Sequence, residues 1–579
     1  MAHFHIKKKK GRPYLYVREI ARVNGKPKVT SQVYIGSVER VRAYATGTAS
    51  VPPKEKRLKV QEFGSLFLAQ LADRDIDLVQ IVNSVIPPGV REKGLTIGEY
   101  FLYCVWNRMI EAVSKRSLAD WYEHTAVQQI RPVDLSELTG ERYWDKWDRV
   151  SEKALRQISH RFFEKVWQID QPRGDCLLFD TTNYYTYLAT HTESELAKRA
   201  KNKDGKSHLR QIGLALLVDR DSRLPLFYRE YPGNIHDSRQ FELLMKEMFG
   251  LVGELNPTGG FLTVVMDKGM NSESNIQWID EQERLHFVTT YSPCFAEELA
   301  SLPLYRFTSV ETVKNQGLEE ANKEWEQLTA YRTRGEFWGK ERTVVVTYNP
   351  ATARKQAYTL DNKLQEVHHQ LLEMSYQVRK KAVHWRNPEK IADRYRRLCE
   401  HLHLPSALYR LEFTHKGGEL QMSFRSDQYQ ISGKQDTLGK SIIITDHSDW
   451  TTEAIVQAHL DRWQVEERFR QSKDDDLVSM RPIRHWTDSK IRCHMFSCVV
   501  ALTYLRRLEL KLAAAGMQRT ANDAMKIMRQ LHSILSFRPG AGAPSRRLET
   551  PTKTQMELLS ALGYQVDDSG VLQPLSGRN

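Results

Sequence analysis

The sequence predicts an α/β fold: a catalytic-type core with a mixed sheet, interrupted by an insertion domain and preceded by a small β unit and a helical region. Three observations predict it. Two short apolar runs, GDCLLFD and GGFLTVVMD, read as buried strands that end on Asp180 and Asp267. Amphipathic helical stretches alternate with such runs between residues 171 and 296. A long polar, helix-rich interval then separates HFVTTYS from SIIITD, the run that leads back to the core.

Residues 1–58 read as a small β unit followed by a basic linker. Pro13–Arg22 and Lys28–Ile35 alternate partly, and Asn24-Gly25 supplies a hairpin turn between them. Lys7, Lys8, Lys9, Lys10 and Arg12 make one end basic, which serves either a nucleic-acid-contacting arm or a solubilising tail. From residue 37 the Gly, Ser, Thr and Val-Pro-Pro content is that of a linker. Residues 59–170 turn helical: FGSLFLAQLADRDIDLVQIVNSVIP and GLTIGEYFLYCVWNRMIEAV carry helical apolar spacing.

The first part of the core, 171–296, runs strand, strand, strand, helix, strand, helix, strand. That order suits an RNase H-like core, in which strand ends bring Asp180 and Asp267 to one edge. Residues 297–440 form the insertion domain, with a polar helix over Leu360–Leu402 broken near Asn387-Pro388 and β-like runs such as RTVVVTYNP. Residues 441–536 resume the core, including the apolar helix RCHMFSCVVALTYLRRLELKLAAAG. Residues 537–579 are a tail with one short helix, QMELLSALGY.

The core's most informative stretch is HLDRWQVEERFRQSKDDD, His459–Asp476, which reads as one amphipathic helix. His459, Arg462, Glu466 and Lys473 are spaced so that whole turns nearly close between them, so all four share a face. A carboxylate flanked by Arg and Lys suits a metal-bound carboxylate beside a phosphate chain. The ordinary use of such a face is a solvated row of i,i+4 ion pairs.

Arg462, Glu466 and Lys473 fit the Tyr-x2-Arg-x3-Glu-x6-Lys signature, and with Trp463 and Phe469 the chain resembles the insertion-sequence-four superfamily of DDE transposases. His459 stands where that family has Tyr. The resemblance covers roughly residues 175–505, and the N-terminal β segment resembles a long branch with a large insertion. It implies catalytic, metal-holding roles for Asp180, Asp267 and Glu466. It also implies DNA contacts from His459, Arg462 and Lys473, and two Mg2+ ions with Mn2+ as a substitute. Residues 59–170 would bind element ends. The expected partners are double-stranded DNA, as terminal inverted repeats and target, and a second copy of the chain in a homodimer. In YPGNIHDSRQ, Asn234, His236 and Asp237 resemble a stretch of the family, although Asp237 or Ser238 also reads as a helix cap. Trp325, Trp338 and Trp385 in the insertion invite either base stacking or core packing.

Composition agrees with these expectations. The 579 residues are too many for one core, and 40% are apolar, as in a folded protein. The formal charge of +13 favours a polyanionic partner without choosing among DNA, RNA and a membrane surface. No run is long and apolar enough to span a membrane, and the lysine-rich N-terminus lacks the apolar stretch of a secretory signal. The six cysteines form no CxxC pair, so they read as free, mostly buried thiols in a reducing cytoplasm, and the family resemblance implies a nucleoid-associated protein. Two alternatives stay open: a transposase-derived DNA-binding protein without catalysis, and a DDE nuclease that cuts without strand transfer.

Overall fold

The computed structural model describes residues 2–23, 25–47, 57–188, 192–200, 208–235, 237–255, 260–537 and 544–575. The chain divides into two compact units. Met1–Leu66, Tyr122–Pro132 and Ala524–Asn579 make the first; Phe67–Trp121 and Val133–Asp523 make the second. The helical region expected over 59–170 therefore contributes to both.

In the first unit Ala2–Lys9, Arg12–Val23 and Lys26–Ser37 form an antiparallel sheet. Lys10 and Gly11, both at positive φ, make the two-residue turn between its first two strands. The two expected strands are present. Asn24 of the expected turn lies outside the described residues. The basic run at Lys7–Lys9, read as an arm or tail, belongs to the edge strand. The supposed linker is not structureless: Ser37 caps a helix over Val38–Ala45, accepting from the Arg40 amide at 3.2 Å. Arg57–Glu62, His532–Phe537 and Ser545–Leu548 form a second antiparallel sheet, in which the pairing of Arg57–Glu62 with His532–Phe537 spans most of the chain and so is invisible to local pattern. The final helix, Lys553–Ala561, begins with a capping box between Thr552 and Gln555.

The second unit holds the large mixed sheet. Its strands are β1 (Cys176–Thr186), β2 (Arg210–Asp219), β3 (Pro225–Pro232), β4 (Leu262–Met266) and β5 (Leu285–Tyr291). They lie in the order β3-β2-β1-β4-β5, with the first two pairings antiparallel and the last two parallel. This is the RNase H-like arrangement that the element order predicted. β1, β2 and β4 are almost wholly buried, which explains their continuous apolar character.

The expected insertion departs from the sequence-based picture in one respect. Two of its runs, Thr329–Phe337 and Lys340–Tyr348, form a hairpin that extends the core sheet through Lys440–Thr445, itself antiparallel to β5. The reason is chemical: Val344, Val345 and Val346 are too apolar to leave uncovered, and Ile442–Ile444 supplies the matching edge. The remainder has its own core. Pro350–Arg379 and Pro388–Leu402 pack Val367, Leu371, Ile391 and Tyr395 with Met422 of the hairpin Tyr409–Lys416 and Glu419–Ser426. The break near Asn387-Pro388 is as predicted, with Asn387 capping the second helix. Trp385 stacks beneath Arg394 at 4.1 Å and Trp338 packs against Phe287 and Tyr291, both packing roles. Trp325 is exposed.

Candidate active site

Asp180 and Asp267 reach the same edge by register. Across the parallel pair, Leu177 stands opposite Val264 and Leu178 opposite Val265. Carried on two residues, that register sets Asp180 level with Asp267, which follows the last residue of β4. Level residues on neighbouring parallel strands point to the same side, about 5 Å apart along the hydrogen-bonding direction. β1 runs past this level because it is eleven residues long against five for β4.

The signature stretch is two helices rather than the single one predicted. Thr452–Leu460 ends at Asp461, and Trp463–Ser472 begins after Arg462. At the joint the Gln464 amide bonds the Asp461 carbonyl and the Val465 amide bonds the Arg462 carbonyl, the tight i,i+3 pattern. A tertiary contact is made at the joint: the Arg220 guanidinium, at the turn after β2, donates to the Asp461 carboxylate at 2.7 Å. Lys473 is the C-cap of the second helix, and Asp474, Asp475 and Asp476 are exposed beyond it.

The four residues still converge. Arg462 Nη1 donates to Asp267 Oδ1 at 3.2 Å, and its Nη2 lies 3.9 Å from Glu466 Oε1. Lys473 Nζ donates to Thr182 Oγ1 at 2.8 Å, and Thr182 shares the face of β1 that carries Asp180. Burial raises the Asp267 carboxyl, but Arg462, the Lys268 amide and Thr290 outweigh it and leave it below the usual range. His459 is half-buried, and desolvation together with Arg462 pushes its imidazole down to about 4, so it is neutral at pH 7. Glu466 is largely exposed, with 62% of its side chain open to solvent.

The chemistry follows from the donor types. Three carboxylates supply the hard oxygen ligands that Mg2+ and Mn2+ prefer. Among the described residues, no three His, Cys, Asp or Glu side chains stand as a closed ligand set. Instead, Arg462 lies between Asp267 and Glu466 as a cation would. Its Nε is buried with no hydrogen-bond partner among the described residues, a donor left for an oxyanion. The residues therefore fit a divalent ion in kind, as hard oxygen donors. Sequence reading missed Thr182, Thr290 and Arg220. Of these only Thr182 had a local signal, its two-residue spacing from Asp180. His236 and the side chain of Asp237 lie outside the described residues.

A mixed sheet carrying Asp180 and Asp267, faced by a helix that bears Glu466 between its caps Arg462 and Lys473, has the donor types of a metal-dependent phosphoryl-transfer enzyme. The sequence matches the transposase DDE domain family over residues 176–504, more than half of the chain, and the chain belongs to that family. It is accordingly a DDE transposase, in a family whose enzymes use divalent metals. No curated protein matches it. Among solved structures it is similar to a piggyBac transposase synaptic complex with hairpin DNA. That similarity has 10% identity and a TM-score of 0.38, and covers 82% of each chain.

Proposed function

We propose that this chain is the transposase of an insertion sequence of the insertion-sequence-four superfamily. It binds the terminal inverted repeats of its element as a homodimer, cleaves the element ends and joins the freed 3′-OH strands to target DNA. It does so on nucleoid DNA in the cytoplasm; among the described residues no helix is long and apolar enough to cross a membrane. The observation that supports the proposal is that Arg462 bonds Asp267 and lies beside Glu466, while Lys473 bonds Thr182 on the strand face that carries Asp180.

Asp180, Asp267 and Glu466 would hold two Mg2+ ions, or Mn2+ in their place. Such ions supply activation of the attacking oxygen and charge relief for the leaving one. The chain's own residues do the rest. Arg462, with its unpartnered Nε, pairs phosphate oxygens beside the scissile bond, and Lys473 neutralises a neighbouring phosphate. His459, neutral, offers a single hydrogen bond to phosphate where the family has a tyrosine hydroxyl.

The test is cleavage of a labelled duplex that carries the element's own end, taken from the repeats flanking the gene. Metal-dependent nicking at the end, lost in Glu466→Gln and followed by a joined product, supports the proposal. Nicking without any joined product selects a nuclease instead. Tight end-specific binding with no cleavage in Mg2+ or Mn2+ selects a DNA-binding protein without catalysis.

A further inference from the structure

The helix Trp463–Ser472, which carries Glu466, is fastened to β1 at its C-terminal end. Asp180, Thr182 and Tyr184 alternate along one face of that strand. Ser472 and Lys473 meet the last two of them. The hydroxyls of Tyr184 and Ser472 lie 2.5 Å apart, and both residues are fully buried. Ser472 gives its one proton to the Phe469 carbonyl at 2.7 Å, so the tyrosine is the donor to Ser472. Lys473 Nζ donates to Thr182 Oγ1 at 2.8 Å and stands 5.4 Å from the centre of the Tyr184 ring. At the other end of the helix Arg462 bonds Asp267, so the helix is tied to the sheet at both ends.

Threonine is an ordinary strand residue, and packing alone would account for its methyl group. Its hydroxyl is another matter. Thr182 is 6% exposed, and a buried hydroxyl needs a partner. Here that partner is a cation brought by the helix. A lysine ammonium on its four-carbon stem otherwise samples many positions, and ordering it costs side-chain entropy. A hydroxyl on one side and an aromatic ring on the other order it in advance. Thr182 lies two residues from Asp180, about 7 Å at the rise of a strand. The ammonium is therefore held one such step along β1 from the aspartate.

We infer that Thr182 is a positioning residue for the phosphoryl transfer. Its hydroxyl sets the place of the Lys473 ammonium relative to Asp180, so that the charge meets the neighbouring phosphate already ordered. The inference rests on the transposase function proposed above. It separates two effects of one lysine. The charge itself attracts DNA wherever the ammonium sits, because that attraction is a counter-ion effect. The place of the charge matters only when the phosphates must be held in reacting geometry. Removing the Thr182 hydroxyl leaves the first and loses the second.

The experiment uses the full chain and a labelled duplex of the element's own end. Two quantities are read: binding over a range of salt without divalent metal, and the single-turnover rate at which the prebound end is cut in Mg2+. Thr182→Val should lower that rate roughly tenfold, the size of one hydrogen bond to a charged group. Affinity for the end and its salt slope should stay as in the wild type. Thr182→Ser, which keeps the hydroxyl, should restore the rate. Lys473→Met should cleave no faster than Lys473→Met combined with Thr182→Val, because the hydroxyl acts only through the lysine. An unchanged rate in Thr182→Val overturns the inference. So does a loss that Thr182→Ser fails to restore, a loss that adds in full to that of Lys473→Met, or a parallel fall in affinity. Failure of the wild type to bind or cleave its end in Mg2+ or Mn2+ overturns the transposase proposal, and the role of Thr182 with it.

Discussion

Arg462 Nη1 stands 3.2 Å from Asp267 Oδ1, which ties the joint of the two signature helices to the end of the strand that carries the second aspartate. The same guanidinium reaches towards Glu466. In the DNA-free protein, Arg462 therefore compensates the carboxylates that a divalent cation would otherwise compensate. Replacing it should act in opposite directions on two measurements. Arg462→Ala should lower end cleavage about 100-fold, the usual loss when one transition-state donor is removed. Calorimetric Mn2+ binding to the DNA-free protein should tighten, because the competing cation is gone. Unchanged metal affinity would show that Arg462 does not occupy the cation's place.

Glu466 separates catalysis from stability. Its side chain is mostly exposed, so Glu466→Gln should leave stability within about 0.5 kcal/mol. Cleavage should fall by more than the roughly 100-fold that losing an outer hydrogen-bond partner of a metal ligand costs. A parallel drop in melting temperature and activity would point to folding instead.

Lys473 should behave as one phosphate contact. Lys473→Met should flatten the slope of log binding constant against log salt by about 1 for the element end, and reduce affinity for unrelated duplex in the same proportion. An unchanged slope would assign Lys473 to holding Thr182 alone.

Arg108 supports the segment that follows the signature helices. Buried in the helix Ile97–Ile110, its Nη1 donates to the Val478 and Ser479 carbonyls at 3.3 and 3.1 Å, and its Nη2 to Val113. Val478 and Ser479 both sit at positive φ, a conformation that the two Nη1 bonds help to hold. Arg108→Ala should cost about 3 kcal/mol in urea unfolding. Ser479→Gly should add about 1 kcal/mol, since glycine adopts that conformation freely.

One pH dependence is built into the sheet. His286 Nδ1 lies 2.8 Å from Asp446 Oδ2, and that hydrogen bond, against an opposing desolvation, raises the imidazole above its usual value. A raised folded value means the contribution is fully present below about pH 6.5 and is lost as pH rises through the folded value. His447, 4.4 Å away ring to ring, is pushed down by burial and by His286, and opposes it in acid. Asp446→Asn can keep the bond that Asp446 Oδ1 accepts from the Phe287 amide. Its destabilisation, on the order of 1 kcal/mol, should therefore be largest below pH 6.5 and shrink above it in thermal melts across that range. A difference that is flat with pH would refute the assignment.

The sequence by itself determined what depends on neighbours in the chain. Apolar runs located the strands that carry Asp180 and Asp267, because burial on both faces demands continuous hydrophobicity, but only Asp267 lies at a strand end; Asp180, expected at one, sits mid-strand because the polar-looking run Thr181–Thr186 continues β1 beside β2. The four-residue step from Arg462 to Glu466 put those two side chains side by side, because the helical repeat is local. The helix break near Asn387-Pro388 was legible for the same reason.

What only the tertiary structure decided depends on partners far away in the chain. Arg220 holds Asp461 at the joint where the signature stretch divides into two helices, and Lys473 bonds Thr182. Val344–Val346 were drawn onto the sheet by a strand nearly a hundred residues later. The level placement of Asp180 and Asp267 is a matter of register between strands. Periodicity records which way a side chain faces. Which distant group it meets is set when strands pair and buried charges find their counter-ions, and no local pattern encodes that choice.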